Sequence, residues 1–256
     1  MMNQDCLAQF KRDGYLLLED IISNKEIHEI KEGIDTLAKN LVANTDYGDN
    51  PFLFLANNDR PLASKVFDAL IKLPVANRFF YSERLESIAK FLLDTDFVLS
   101  APSQMNIRAD HPGESKFLYP WHDDWSYNGS SVNSLIYWIP LQDVDNENGC
   151  LHIIPASHLH PRNVYTNMNA LTSGNSADYF KIKDIEEIIR ILPEIRVPLK
   201  LRQGVVFHSK LLHKSGVNSS KATRLAIQSR WYDGNFFDAI ADAYQSSNEN
   251  LIIKNK

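Results

Sequence analysis

Apolar positions along this chain repeat at helical spacing over roughly the first hundred residues and at strand spacing beyond them. Residues 3–13 read as a helix with Leu7 and Phe10 on one face, and Gly14 separates it from the apolar strand Tyr15-Leu16-Leu17-Leu18. Ser23-Asn24-Lys25-Glu26 has capping-box spacing, in which the serine hydroxyl accepts from first-turn amides and the glutamate reaches back. Ile27, Ile30, Ile34 and Leu37 then share one face of an amphipathic helix. Further helices are predicted over 62–73 and 84–93, punctuated upstream by the loop Asp46-Tyr47-Gly48-Asp49-Asn50-Pro51. From Phe97 onward short β-branched and aromatic runs take over, at 97–100, 104–108, 134–139, 151–154, 195–199, 205–208 and 224–231. Clusters of Pro, Gly, Asn and Asp separate them, the signature of a β-sandwich or barrel. One helix, 184–192, interrupts the series, and Pro193 stops it. The pattern predicts one α+β domain, mainly β with flanking helices. It has a helical support over 1–96, a β-core over 97–240 with a lid-like insertion at 160–194, and a tail at 241–256.

Composition narrows the function classes. The 256 residues carry 27 Lys+Arg against 32 Asp+Glu, a net charge of −5. Binding a phosphate backbone needs a basic face that releases counterions, so nucleic acid is not an expected partner. Two cysteines, Cys6 and Cys150, lie far apart without any CxxC spacing, which speaks against a disulfide scaffold or a thiolate zinc site. The N-terminus lacks the basic and apolar regions of a secretory signal, and no run approaches the ~18 apolar residues of a membrane span. The expectation is a cytoplasmic monomer or homodimer acting on a small molecule, away from membranes.

Seven of the eight histidines, all but His28, fall in the β-half. Histidine is the commonest metal ligand and the usual acid or base, so the search for chemistry starts there. Trp121-His122-Asp123-Asp124-Trp125 weighs most. In an extended strand His122 and Asp124 project to one side, two-thirds of a 2-His-1-carboxylate centre for non-haem Fe(II). The third ligand must come from a distant strand, and residues 204–218 offer His208 and His213. His213 is preferred, because a Gly/Asn turn and a strand carrying Arg224 follow it. A hairpin built this way holds His213 on one arm and Arg224 on the other. An oxidising Fe(II) site needs an electron-donating co-substrate, and a dicarboxylate one needs a fixed cation. Arginine's planar fork binds carboxylate bidentately. Arg230, of the same strand parity, is the alternative anchor.

Six elements occur in order: Phe10-Lys11-Arg12-Asp13-Gly14-Tyr15, Trp121-His122-Asp123-Asp124, Trp138-Ile139-Pro140-Leu141, Asn148-Gly149-Cys150-Leu151, Pro155-Ala156-Ser157-His158, and His213-Lys214-Ser215-Gly216-Val217-Asn218 followed by Arg224. Together they resemble the phytanoyl-CoA dioxygenase family of Fe(II)/2-oxoglutarate oxygenases over nearly the whole chain. The family's metal motif usually has Gln where Asp123 stands. The resemblance implies a double-stranded β-helix (jelly-roll, cupin-like) core, iron on His122, Asp124 and His213, and 2-oxoglutarate with its distal carboxylate on Arg224. It also implies contacts to 2-oxoglutarate from Ser215 and from the strand before the metal motif, where Gln104, Asn106 and Arg108 share a face. The family often has a Lys before a Pro-Pro-Gly-like turn, whereas this chain reads Arg108-Ala109-Asp110-His111-Pro112-Gly113. The implied reaction uses O2 to hydroxylate an unactivated C–H of a small molecule, with 2-oxoglutarate converted to succinate and CO2. Asp124, in place of Gly or Ala, favours hydroxylation over halogenation.

Trp125, Tyr127, Trp138, Arg108 and His158 are the candidate substrate-lining residues, although aromatic residues on strands are commonly core. His152 and His158 form a weaker second-metal candidate. Asp123 faces away from the metal by strand alternation. Two other readings stand beside the oxygenase: a zinc-dependent cupin-like hydrolase or isomerase, which does not need Arg224, and a non-catalytic small-molecule binding protein. The insertion opens with His158-Leu159-His160-Pro161-Arg162 and carries mixed charges, with no basic cluster for a coenzyme A phosphate. It is expected to cover the pocket, over a small polar metabolite or a natural-product intermediate.

Overall fold

The computed structural model describes residues 2–42, 46–48, 50–100, 104–114, 118–128, 131–173 and 176–235; the tail expected at 241–256 lies outside them. The first half is helical: α1 (Gln4–Asp13), a short strand β1 (Tyr15–Leu18), then α2 (Asn24–Leu41), α3 (Pro51–Asn58), α4 (Arg60–Leu70), α5 (Pro74–Phe80) and α6 (Glu83–Leu93). The capping box forms as expected, with Glu26 N donating to Ser23 Oγ and Ser23 N to the Glu26 carboxylate. Proline stands in the first turn of α3, α4 and α5, where its missing N–H has no partner to lose. The sequence pattern did not announce α3 or α5. In α3 the apolar residues Phe52, Leu53, Phe54 and Leu55 are consecutive, so no 3.6-residue period is visible.

The second half supplies β2 (Val98–Ser100), β3 (Asn106–Asp110), α7 (Asp124–Asn128), β4 (Ser134–Pro140), β5 (Leu151–Ile153), β6 (Val164–Thr166), α8 (Met168–Ser173), β7 (Phe180–Ile182), α9 (Ile185–Ile191), β8 (Ile195–Val197), β9 (Gly204–His208), β10 (His213–Ser215) and β11 (Arg224–Asp233). The larger sheet runs β1-β9-β4-β11-β2, with β3 also on β11, and every pairing is antiparallel. The smaller sheet runs β10-β5-β8 and is prolonged by the bridges His122↔His213 and Val144↔Leu199. This is the α+β arrangement read from the sequence, with two differences. β3 sits two residues later than the predicted 104–108, because its register is set by β11, Asp110 opposite Arg224. The predicted hairpin is absent as well: β10 pairs with β5, so His213 and Arg224 belong to different sheets.

All seven residues of β4 are buried, which explains a run without polar alternation. Leu135, Tyr137 and Ile139 pack on the helices with Ile34, Val66, Leu70 and Phe79, whereas Ile136 and Trp138 pack between the sheets with Leu151, Ile153, Val197 and Phe207. Each large apolar side chain so buried contributes about 1.5–3 kcal/mol. The insertion contributes Ile182 and Ile188 to a smaller cluster with Ile154 and Leu212.

Candidate metal centre

Two histidines from remote parts of the chain meet through their backbones. His122 N donates to His213 O at 3.1 Å and His213 N to His122 O at 2.9 Å, leaving the ring centroids 4.2 Å apart. Asp124 joins them by a different route from the one the sequence suggested. The chain leaves the bridge at His122 and turns into α7, whose first residue is Asp124. Asp123 caps that helix by accepting from Ser126 N and Oγ at 2.8 Å, and its other oxygen takes Arg162 Nε and Nη2 at 3.1 and 3.0 Å. His122 and Asp124 therefore converge because a helix starts there, and strand alternation plays no part.

Asp124 Oδ1 lies 3.6 Å from His122 Nε2 and 3.5 Å from His213 Nε2, and the three ligand atoms are all within 4.8 Å of one another. His122 Nδ1 donates to the Pro120 carbonyl at 2.8 Å and His213 Nδ1 to the Leu211 carbonyl at 2.9 Å. A carbonyl only accepts, so each Nδ1 bears the proton and each Nε2 is directed at the shared point. Burial, with His213 alongside, pushes the His122 pKa down. Burial alone would raise the Asp124 carboxyl, but Arg230 and the two imidazoles outweigh it and hold the group well below the ordinary carboxylate value. Two nitrogens and one carboxylate oxygen on one face fit a divalent iron ion, and among the described residues no other group of His, Cys, Asp or Glu has this geometry.

The centre opens into a cavity of about 450 Å³. Asn106, Arg108, Tyr127 and Ser215 line it, as four of the expected site residues. Tyr119, Gln228 and Arg230 also line it, and so does a stripe of α4 formed by Arg60, Ser64, Phe67 and Asp68. That stripe was missed, although polar residues at i, i+4 and i+8 on a helix otherwise facing the core are a readable signal.

Five expected site residues do not line the cavity. Gln104 precedes β3; its carbonyl accepts from Arg230 Nη1, and its side-chain oxygen is buried without a partner. Trp125 carries the Lys210 ammonium over its ring at 4.6 Å. His158 lies toward α1, with Nε2 3.2 Å from the Lys11 carbonyl and its ring 5.2 Å from His208. His208, the other candidate third ligand, packs there too and is pushed down to about 3 by burial and by His158, Lys210 and Arg162. Trp138 is fully buried between the sheets. Arg224 is fully buried behind the cavity wall, donating to the Gly149 carbonyl and, at 2.5 Å, to Asp110 Oδ2. Arg108 holds the same Asp110 carboxylate at 2.9 Å. Burial would raise Asp110, and the two arginines hold it down. His152 pairs with Glu194 at 3.4 Å, apart from any second metal cluster.

Facing antiparallel sheets of cupin type, with a His–Asp–His cluster between them, define the class of protein. Residues 10–226 match the family described as phytanoyl-CoA dioxygenase (PhyH), and the chain belongs to that family. The bovine peroxisomal phytanoyl-CoA dioxygenase is 21% identical over 248 residues, 94% of this chain and 71% of that protein. An ectoine dioxygenase of Sphingopyxis alaskensis is 30% identical over 156 residues, 59% of this chain and 48% of that protein. The match thus spans about half of the ectoine enzyme. Among solved structures, EctD from S. alaskensis with 2-oxoglutarate and 5-hydroxyectoine has a TM-score of 0.63 at 22% identity, covering 91% of this chain and 77% of that one. The epimerase SnoN with Fe3+, alpha ketoglutarate and nogalamycin RO has a TM-score of 0.62 at 19% identity, covering 89% and 82%. These structures share the fold. No helix among the described residues is long and apolar enough to cross a membrane.

Proposed function

We propose that this protein is an Fe(II)/2-oxoglutarate-dependent oxygenase that hydroxylates an unactivated C–H of a small polar molecule. The observation that carries the reading is the convergence of His122 Nε2, His213 Nε2 and Asp124 Oδ1 on one point at the base of a cavity. Iron with 2-oxoglutarate and O2 supplies the oxidising chemistry, the co-substrate leaving as succinate and CO2.

The chain's own groups also favour a dicarboxylate co-substrate. Arg224 Nε and Trp138 Nε1 are buried donors without any acceptor, and the guanidinium carbon lies 5.6 Å from the indole ring. A buried donor left unpaired costs roughly 1–3 kcal/mol, so two neighbouring ones fit an anion that the protein does not itself provide. The distal carboxylate of 2-oxoglutarate is that anion. Both donors lie behind the cavity wall in this structure, so as the anchor Arg224 requires the wall in front of it to move aside when the co-substrate enters, with Trp138 as a second carboxylate donor in place of the substrate wall first expected. Gly149, at φ 81°, lets the wall close tightly: a Cβ there would meet the Gly216 carbonyl and Arg224 Nη1, one residue from Ser215.

The cavity walls favour a compact polar substrate over an acyl chain. Arg60, Ser64 and Asp68 bring polar groups, and Phe67, Tyr119 and Tyr127 bring flat aromatic surface. Tyr127 Oη donates to the Ala177 carbonyl at 3.1 Å and accepts from Phe180 N at 3.3 Å, which docks the insertion over the pocket. The test is direct. Under argon, Fe(II) plus 2-oxoglutarate should give a weak visible charge-transfer band, and O2 should then yield succinate, stimulated by the right member of a panel of polar substrates. Iron-loaded protein that shows neither the band nor succinate refutes the reading.

A further inference from the structure

We infer that Arg230 is the positioning residue that confines Asp124 to metal ligation through a single oxygen, Oδ1. The inference rests on the metal centre proposed above and concerns what shapes it. Arg230 Nε and Nη2 both donate to Asp124 Oδ2, at 2.9 and 2.8 Å. An arginine fork facing a carboxylate often places one N–H on each oxygen. Here both converge on Oδ2, and Oδ1 is left to the two imidazole Nε2 atoms at 3.6 and 3.5 Å. The fork itself is held, because Nη1 donates to the Gln104 carbonyl. Both partners are largely buried, with side chains 13% and 8% exposed, so water does not compete strongly for Oδ2.

The three ligands differ in what orients them. His122 and His213 lean on main-chain carbonyls, which no side-chain substitution removes. Asp124 leans on a side chain from the opposite sheet, in β11, at a position paired with Ile136 of β4. Without Arg230, Oδ2 is a free anion beside the metal point. The carboxylate can then rotate and ligate through both oxygens, taking a position that 2-oxoglutarate needs. Metal affinity falls because the ligand is no longer preorganised, as for other groups that orient metal ligands.

The experiment uses the full chain stripped of metal and titrated with Fe(II) alone by calorimetry under argon, followed by 2-oxoglutarate. Arg230→Gln should raise the Fe(II) Kd about 10- to 100-fold and weaken the co-substrate band, and Arg230→Lys, which keeps the charge with fewer donors, should raise the Kd by less. An Fe(II) Kd unchanged in Arg230→Gln overturns the inference. So does a loss confined to 2-oxoglutarate affinity, which would make Arg230 a co-substrate anchor. Should circular dichroism show Arg230→Gln unfolded, Arg230→Lys carries the test alone: a Kd equal to wild type is against the inference and a measurable rise is for it. Wild-type protein that takes up no Fe(II) defeats the metal-centre reading itself, and that result appears without any substitution.

Discussion

The two faces of the larger sheet do different work although they are built from the same strands. Toward the helices, β4 presents Leu135, Tyr137 and Ile139 and β11 presents Leu225, Ile227 and Trp231, all in one apolar core. Toward the smaller sheet the alternate residues include Gln228 and Arg230, which line the cavity with Arg230 paired to Asp124, and Arg224, which pairs with Asp110 behind the wall. Neighbouring residues in sequence thus have unrelated tasks. One face supplies stability through area removed from water; the other spends polar groups on ligand geometry and must satisfy each of them by a partner.

Substitutions on the two faces should separate accordingly. The largest effect is expected from His122→Ala, which should abolish Fe(II) binding and 2-oxoglutarate-dependent succinate formation. Its circular dichroism should stay close to that of the wild type, because the backbone bridge to His213 does not depend on the imidazole. Arg224→Ala should cross the divide: it removes the proposed co-substrate anchor and strips buried Asp110 of one of its two cations. A loss near the lower end of the roughly 3–5 kcal/mol for breaking a buried pair is expected in urea unfolding, because Arg108 remains. Unchanged 2-oxoglutarate affinity in this variant would remove Arg224 as the anchor. On the helix-facing side, Ile139→Ala should cost about 2–5 kcal/mol of stability while the folded molecules keep wild-type Fe(II) affinity. Parallel loss of affinity would show that the faces are not independent.

The smallest effect is a pH dependence on the helix side. His208 is held neutral, at about 3 against an ordinary 6.5. Its proton therefore binds the unfolded chain first. The stability it contributes is essentially all present above about 7.5 and declines as pH falls toward 3, by about 1.4 kcal/mol at pH 5.5. Urea unfolding at pH 7.5 and 5.5 measures this, and His208→Gln should reduce the difference, leaving the part contributed by the other histidines that burial holds neutral.

What could be read from the sequence follows the range of the interactions concerned. The periodic α1, α2 and α6 were legible, α2 with its capping box as well, since their signals lie within a turn or two; α3, with consecutive apolar residues, was not. The cluster of His122, Asp124 and His213 was legible because metal chemistry admits few residue types, yet the route of Asp124 through a helix start was not. The polar stripe of α4 left only a helical spacing that does not say what it faces, and the pairs Arg224–Asp110 and Arg230–Asp124, 114 and 106 residues apart, left no local trace. The sequence by itself determined the helical and β halves, the family likeness and the metal-binding residue types, all carried by short-range pattern and chemical identity. Only the tertiary structure decided which arginine meets which carboxylate, because sheet register and the facing of two sheets set those distances.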